Sequence, residues 1–104
     1  KVHWSVPLKP LYAMAIMAPR QDGDRLFAAG IDGAAAVLKL ERDAPKVSVV
    51  WQEASADKNV KREPKARGLY PVNMTPFVDR GTVYGVDQPG MLRAVELETG
   101  KRLW

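Results

Sequence analysis

The sequence predicts an all-β chain made of two consecutive four-stranded antiparallel units. Three observations predict it. Tryptophans stand at Trp4, Trp51 and Trp104, spaced by 47 and 53 residues (51−4 and 104−51), and each closes a short segment of alternating apolar residues. The two intervals align with each other: Leu26-Phe27-Ala28 with Val83-Tyr84-Gly85, Gly33 with Gly90, and Val37-Leu38-Lys39-Leu40 with Ala94-Val95-Glu96-Leu97, all at an offset of 57 (for example 90−33). Finally, the stretch 81–104 reads as alternating run, turn at Asp87-Gln88-Pro89-Gly90, alternating run, turn at Glu98-Thr99-Gly100-Lys101, then tryptophan. Alternation with a period of two, broken by Gly/Pro/Asp turns, marks strands of a meander.

The elements follow in order. In the first unit the strands are expected at about 12–17, 25–30, 34–41 and 47–52; in the second at about 70–77, 82–86, 91–96 and 102–104. Turn residues separate them at Gln21-Asp22-Gly23-Asp24, Ile31-Asp32-Gly33, Asp79-Arg80-Gly81 and 87–90. The stretches 11–18 and 34–42 are rich in Ala, Met and Leu, which favour helix when taken alone. The second unit is β-rich, with Thr82, Val83, Tyr84 and Val86, so a shared fold requires strand in both copies. The boundaries expected are 1–4 as the end of a preceding unit, 5–52 as unit one, 53–67 as a basic connecting loop without a counterpart, and 68–104 as unit two.

Composition bounds the rest. The chain has 104 residues, 46% of them hydrophobic and 27% charged, with a net charge of +4. That is a globular composition with a mildly basic balance. There is no cysteine, which excludes disulfide frameworks and thiolate metal sites within this sequence. No apolar run approaches the ~18 residues of a membrane span. The sequence starts at Lys1 without an initiator methionine and reads as an excised or processed segment.

Four strands in 40-odd residues, repeated and closed by tryptophan, match the blade of a β-propeller. Ala94-Val95-Glu96-Leu97-Glu98-Thr99-Gly100-Lys101-Arg102-Leu103-Trp104 resembles the tryptophan-docking motif of the pyrroloquinoline-quinone-like propeller repeat, with Glu96 in place of its usual Asp. Tyr84-Gly85-Val86-Asp87 and Gly90-Met91-Leu92 are similar to that repeat's second and third strands. In unit one, Gly33 and Trp51 are kept, while Arg42-Asp43-Ala44-Pro45-Lys46 replaces the Thr-Gly-Lys turn. The resemblance implies tryptophans packed between neighbouring blades, with Trp4, Trp51, Trp104, Ala94, Thr99 and Gly100 as docking residues. The family spans quinoprotein dehydrogenases, outer-membrane assembly lipoproteins and large exported bacterial proteins, the last being the nearest in wording. It therefore implies a periplasmic or secreted location. Thr99-Gly100 suits a tight turn with positive φ, and tryptophan offers a broad apolar surface with one N–H. Two blades cannot close a ring, so neighbouring blades of a longer chain, other copies of the chain or another protein are the expected partners.

Catalytic candidates are few. Quinone chemistry needs a Ca²⁺ cradle and a carboxylate base, and the sequence shows no such cluster. Asn73 and Thr75, expected on the innermost strand, are candidates for lining a central channel, with an ordinary wet channel as the favoured reading. Asn73-Met74-Thr75 also fits a glycosylation acceptor, a weak pattern in a bacterial-looking strand. Lys58, Lys61, Arg62, Lys65 and Arg67 form a basic run that could meet an anionic partner, though a solvated loop is favoured and no aromatics interleave for nucleic-acid stacking. Asp22-Gly23-Asp24 and Asp32-Gly33 are better explained as hairpin turns than as Ca²⁺ loops. His3 is the only histidine, and Ser5, Ser48 and Ser55 sit in no nucleophile elbow. No catalytic, cofactor or metal residue is nominated. The expected role is a non-enzymatic scaffold or interaction segment; the alternatives are a quinoprotein dehydrogenase fragment and an anion-binding module acting through 53–67.

Overall fold

The computed structural model describes residues 1–10, 13–31, 33–53 and 68–104. Two antiparallel sheets account for its regular structure. Sheet one runs in the order β1 (Arg20–Asp22), β2 (Arg25–Gly30), β3 (Ala34–Leu40), β4 (Val47–Glu53). Sheet two runs β5 (Phe77–Asp79), β6 (Thr82–Val86), β7 (Leu92–Glu96). Among the described residues there is no α-helix. The alanine-rich segment Ala34–Leu40 is strand, buried along most of its length. Its small side chains let a second layer approach, and packing overrides their intrinsic helical preference.

The two sheets share one register. Arg20 faces Phe27 and Asp22 faces Arg25 in sheet one; Phe77 faces Tyr84 and Asp79 faces Thr82 in sheet two. Phe27 faces Val37 as Tyr84 faces Ala94. Near the fourth position, Val37 faces Trp51 and Leu38 faces Val49, so Val50 is an extra residue forming a β-bulge. The fourth strand expected at 102–104 does not form, so unit two is three-stranded: that segment is tied to β7 by one isolated bridge, Val95 to Arg102, while Ala94 accepts the Leu103 N–H at 2.8 Å and donates to the Trp104 carbonyl at 3.1 Å, the pairing pattern of the same bulge. The bulge turns each tryptophan onto the same side of its sheet as Phe27 or Tyr84, and the ring pairs are 6.4 and 6.3 Å apart.

The expected first strands are displaced. Instead of 12–17 and 70–77, the pairing segments are Arg20–Asp22 and Phe77–Asp79, and 68–76 is irregular. Pro71 and Pro76 lack the N–H that a ladder needs, and both are fully buried as packing groups. The strands begin only after the prolines end, at Pro19 and Pro76. Arg80 and Gly81, both at positive φ (46° and 77°), then close the β5–β6 hairpin, the geometry of a two-residue turn whose twist matches the strands. Glu53, expected in the connecting loop, is the last residue of β4. Tyr12, Asp32, Ser55 and the basic run Lys58, Lys61, Arg62, Lys65 and Arg67 lie outside the described residues.

The core lies between the sheets. Phe27, Ala29, Ala35 and Val37 from sheet one meet Val83, Val95 and Leu97 from sheet two, with Leu69, Tyr70 and Met17 filling the end. Phe27, Leu69, Val37, Val83 and Val95 are fully buried. Each contributes about 1.5–3 kcal/mol relative to exposure, which makes this apolar seam the dominant contact between the units.

Candidate functional site: the junction of the two sheets

Each sheet has a tryptophan face and a reverse face, because side chains alternate along a strand. The tryptophan face of sheet one (Phe27, Val37, Trp51) lies against the reverse face of sheet two (Val83, Val95). Trp51 is the fixed point. Its Nε1–H donates to the Leu97 carbonyl at 2.8 Å, 46 positions along the chain. Its ring lies over Gly100: a Cβ built there would sit 3.0 Å from Cζ2 and 3.1 Å from Cε2. Gly100 has φ 71°, so the same residue meets a backbone demand and a space demand.

The turn that carries Gly100 is held from within. Gly100 N–H donates to the Glu96 carbonyl at 2.8 Å, and Thr99 Oγ1 donates to the Glu96 carboxylate while accepting the Lys101 N–H at 3.2 Å. Thr99 thus shapes the seat while staying exposed, and Ala94 is completely buried beneath the bulge. Of the docking residues expected from sequence, Trp51 and Gly100 come together. Trp104 is 56% exposed and Trp4 40% exposed.

Polar ties flank the seam. Arg25 of β2 makes a two-point contact with Glu98, Nε to Oε2 at 2.8 Å and Nη2 to Oε1 at 2.7 Å, and Nη1 also reaches Asp24 at 2.8 Å. The Arg25 hydrogen bond holds the Glu98 carboxyl below its ordinary range, and Glu98 raises the Arg25 pKa in return. Asp22 accepts the Gly81 N–H at 3.0 Å. Thr75 Oγ1 accepts the Ala18 N–H at 3.1 Å, so Thr75 joins the units, and both Thr75 and Asn73 are exposed.

A buried polar group closes the other end. Asp87 is 6% exposed, accepts the Tyr70 N–H at 2.9 Å and lies 3.3 Å from Arg102 Nη2. Arg102 Nη2 also donates to the Gly68 carbonyl at 2.8 Å. The Tyr70 hydroxyl donates to the Glu53 carboxylate at the end of β4. Burial, then the neighbouring Glu53 acceptor, push the Tyr70 phenol well above its usual value. Sequence reasoning missed Asp87, Tyr70 and Arg102 because it read Asp87 as a turn residue and Tyr70 and Arg102 as strand residues. The available signal was an acid directly after an apolar strand, with arginines at Arg93 and Arg102 to pair with it.

Between the hairpin tips an open cleft of about 520 Å³ is lined by Asp22, Asp24, Arg25, Arg80, Glu96 and Glu98 among others. Most of its charges are engaged in the ties above. Among the described residues no group of three or more His, Asp or Glu is placed to hold a metal. Compared with family models, curated proteins and solved structures, the chain matches none of them. The junction's own geometry therefore carries the functional reading.

Proposed function

We propose that this chain is a non-enzymatic scaffold and interaction segment: two blade-like units of a propeller-type protein, stacked face to face by tryptophan. The observation that carries the reading is Trp51 lying on Gly100 while its N–H is bonded to the Leu97 carbonyl. A large aromatic at a strand bulge covers apolar surface and pairs its one donor, so it joins two sheets without leaving a buried polar orphan. Repetition of the bulge at Trp104 supports a design in which each unit fastens the next.

The experiment is chemical denaturation followed by tryptophan fluorescence and far-ultraviolet circular dichroism. A stacked scaffold unfolds in one coincident transition, and Trp51→Ala moves the whole transition to lower denaturant. Two separate transitions, with Trp51→Ala leaving one sheet unaffected, would sink the proposal.

A further inference from the structure

Asp87 faces more donors than one carboxylate can satisfy. Its Oδ1 takes the Tyr70 N–H at 2.9 Å, and its Oδ2 faces two guanidiniums, Arg102 Nη2 at 3.3 Å and Arg93 Nε at 3.8 Å. The longer distance is beyond hydrogen-bond reach. Among the described residues, Arg93 Nε and Arg102 Nε are buried and have no hydrogen-bond partner. A buried cationic donor without a partner is costly, so two of them side by side call for an acceptor.

The backbone register puts the two arginines together. Val95 bridges Arg102, and Arg93 stands two residues before Val95 on the same face of β7, so the pair are diagonal neighbours. Opposite Arg93 on β6 is Gly85, whose open side is filled by Leu69 and Pro76: a Cβ there would lie 3.0 and 3.1 Å from them. The floor beside Arg93 is therefore apolar, which strengthens charge–charge attraction. The side chains of Arg93 and Arg102 stay 22% and 21% exposed, so the pair is reachable from solvent.

We propose that Arg93 and Arg102 form a binding site for a carboxylate ligand. Both guanidiniums are permanently charged, and against the single charge of Asp87 they leave an excess of one positive charge. A carboxylate cancels that excess, and its two oxygens match the planar guanidinium fork. A phosphate dianion would overshoot it beside Asp87 and Glu53, whose carboxylate already takes the Tyr70 hydroxyl. Neither arginine belongs to the basic run at 58–67, so the site is separate from that stretch.

The test follows the arginine Nε–H signals of the full chain by nuclear magnetic resonance while acetate replaces chloride at constant ionic strength, which holds screening fixed. The Arg93 and Arg102 signals are expected to move together along one saturating curve. The signal of Arg80, whose side chain is 90% exposed, should not follow them. Arg93→Gln is expected to weaken acetate binding about tenfold, and Arg93→Lys, which keeps the charge but loses the fork, by a similar factor. The titration of the unsubstituted chain decides by itself should a variant fail to fold. Signals that stay still, or that move no more than that of Arg80, mean that the two donors hold only water and overturn the proposal. Tighter binding of inorganic phosphate than of acetate overturns the carboxylate assignment. An Arg93→Lys variant that binds acetate like the wild type overturns the two-fork geometry.

Discussion

Trp51 and Trp104 occupy the same bulge in successive sheets, each beside an aromatic of the second strand. Trp51 has a glycine under its ring and a carbonyl for its N–H. Among the described residues, Trp104 stacks near Tyr84 of its own sheet and is 56% exposed. The same bulge pairing, inside strand β4 at Trp51 and beside an isolated bridge at Trp104, thus has two energetic values, decided by what lies opposite. Backbone register positions the side chain, and the neighbouring sheet supplies the stabilisation.

The largest expected effect separates the two tryptophans directly. Trp51→Ala removes a large aromatic from the seam and costs about 3 kcal/mol, whereas Trp104→Ala costs under about 0.5 kcal/mol, read from urea midpoints at constant m. Equal losses would erase the distinction between a docked and an undocked tryptophan.

The seat is probed next. Gly100 and Gly90 both have positive φ (71° and 84°), but only Gly100 has an indole against it; a Cβ at Gly90 meets nothing within 4 Å. Both valine substitutions carry the same kind of backbone strain. Gly100→Val is expected to cost about 2 kcal/mol more than Gly90→Val, because it alone overpacks the seam.

The polar end of the seam gives a pH signature. The Tyr70 phenol is raised by burial and by Glu53, so its contribution is fully present below the unfolded value near 10.0 and is lost as pH rises above it. Tyr70→Phe is expected to lose about 1–2 kcal/mol at neutral pH and to flatten the alkaline decline in stability. An unchanged alkaline slope in Tyr70→Phe would show that this phenol does not report on the seam.

The smallest effect lies at the exposed tie. Glu98 is lowered by Arg25, so its contribution is present above the ordinary value of 4.5 and is lost as pH falls through the lower folded value. Glu98→Gln should melt slightly below the wild type at neutral pH in low salt. The difference should vanish in acid and shrink in high salt. A difference that persists in acid would mean that shape, not charge, matters there.

These contrasts also mark what the sequence makes legible. The repeat, the second and third strands of both units and the tryptophan positions can be read from alternation and offset, because these patterns are local. The Gly100 turn is legible too, since its residue type answers a backbone demand. The displaced first strands are not: apolar runs at 14–17 and 69–72 look like strands, but only Met17 of the first is buried, 69–71 serve as packing groups, and the adjacent prolines decide against a ladder. Nor is the Leu97 carbonyl, since a backbone acceptor has no residue signature. Asp87 looks like a turn acid until Tyr70 and Arg102 converge on it from distant positions.

The most direct measurement of the central claim is hydrogen exchange at the three indole Nε1–H groups of the unmodified chain. Trp51 should exchange only through opening of the junction, while Trp4 and Trp104 exchange near the rate of free indole. Rapid exchange at Trp51, equal to that of the other two, would contradict the account.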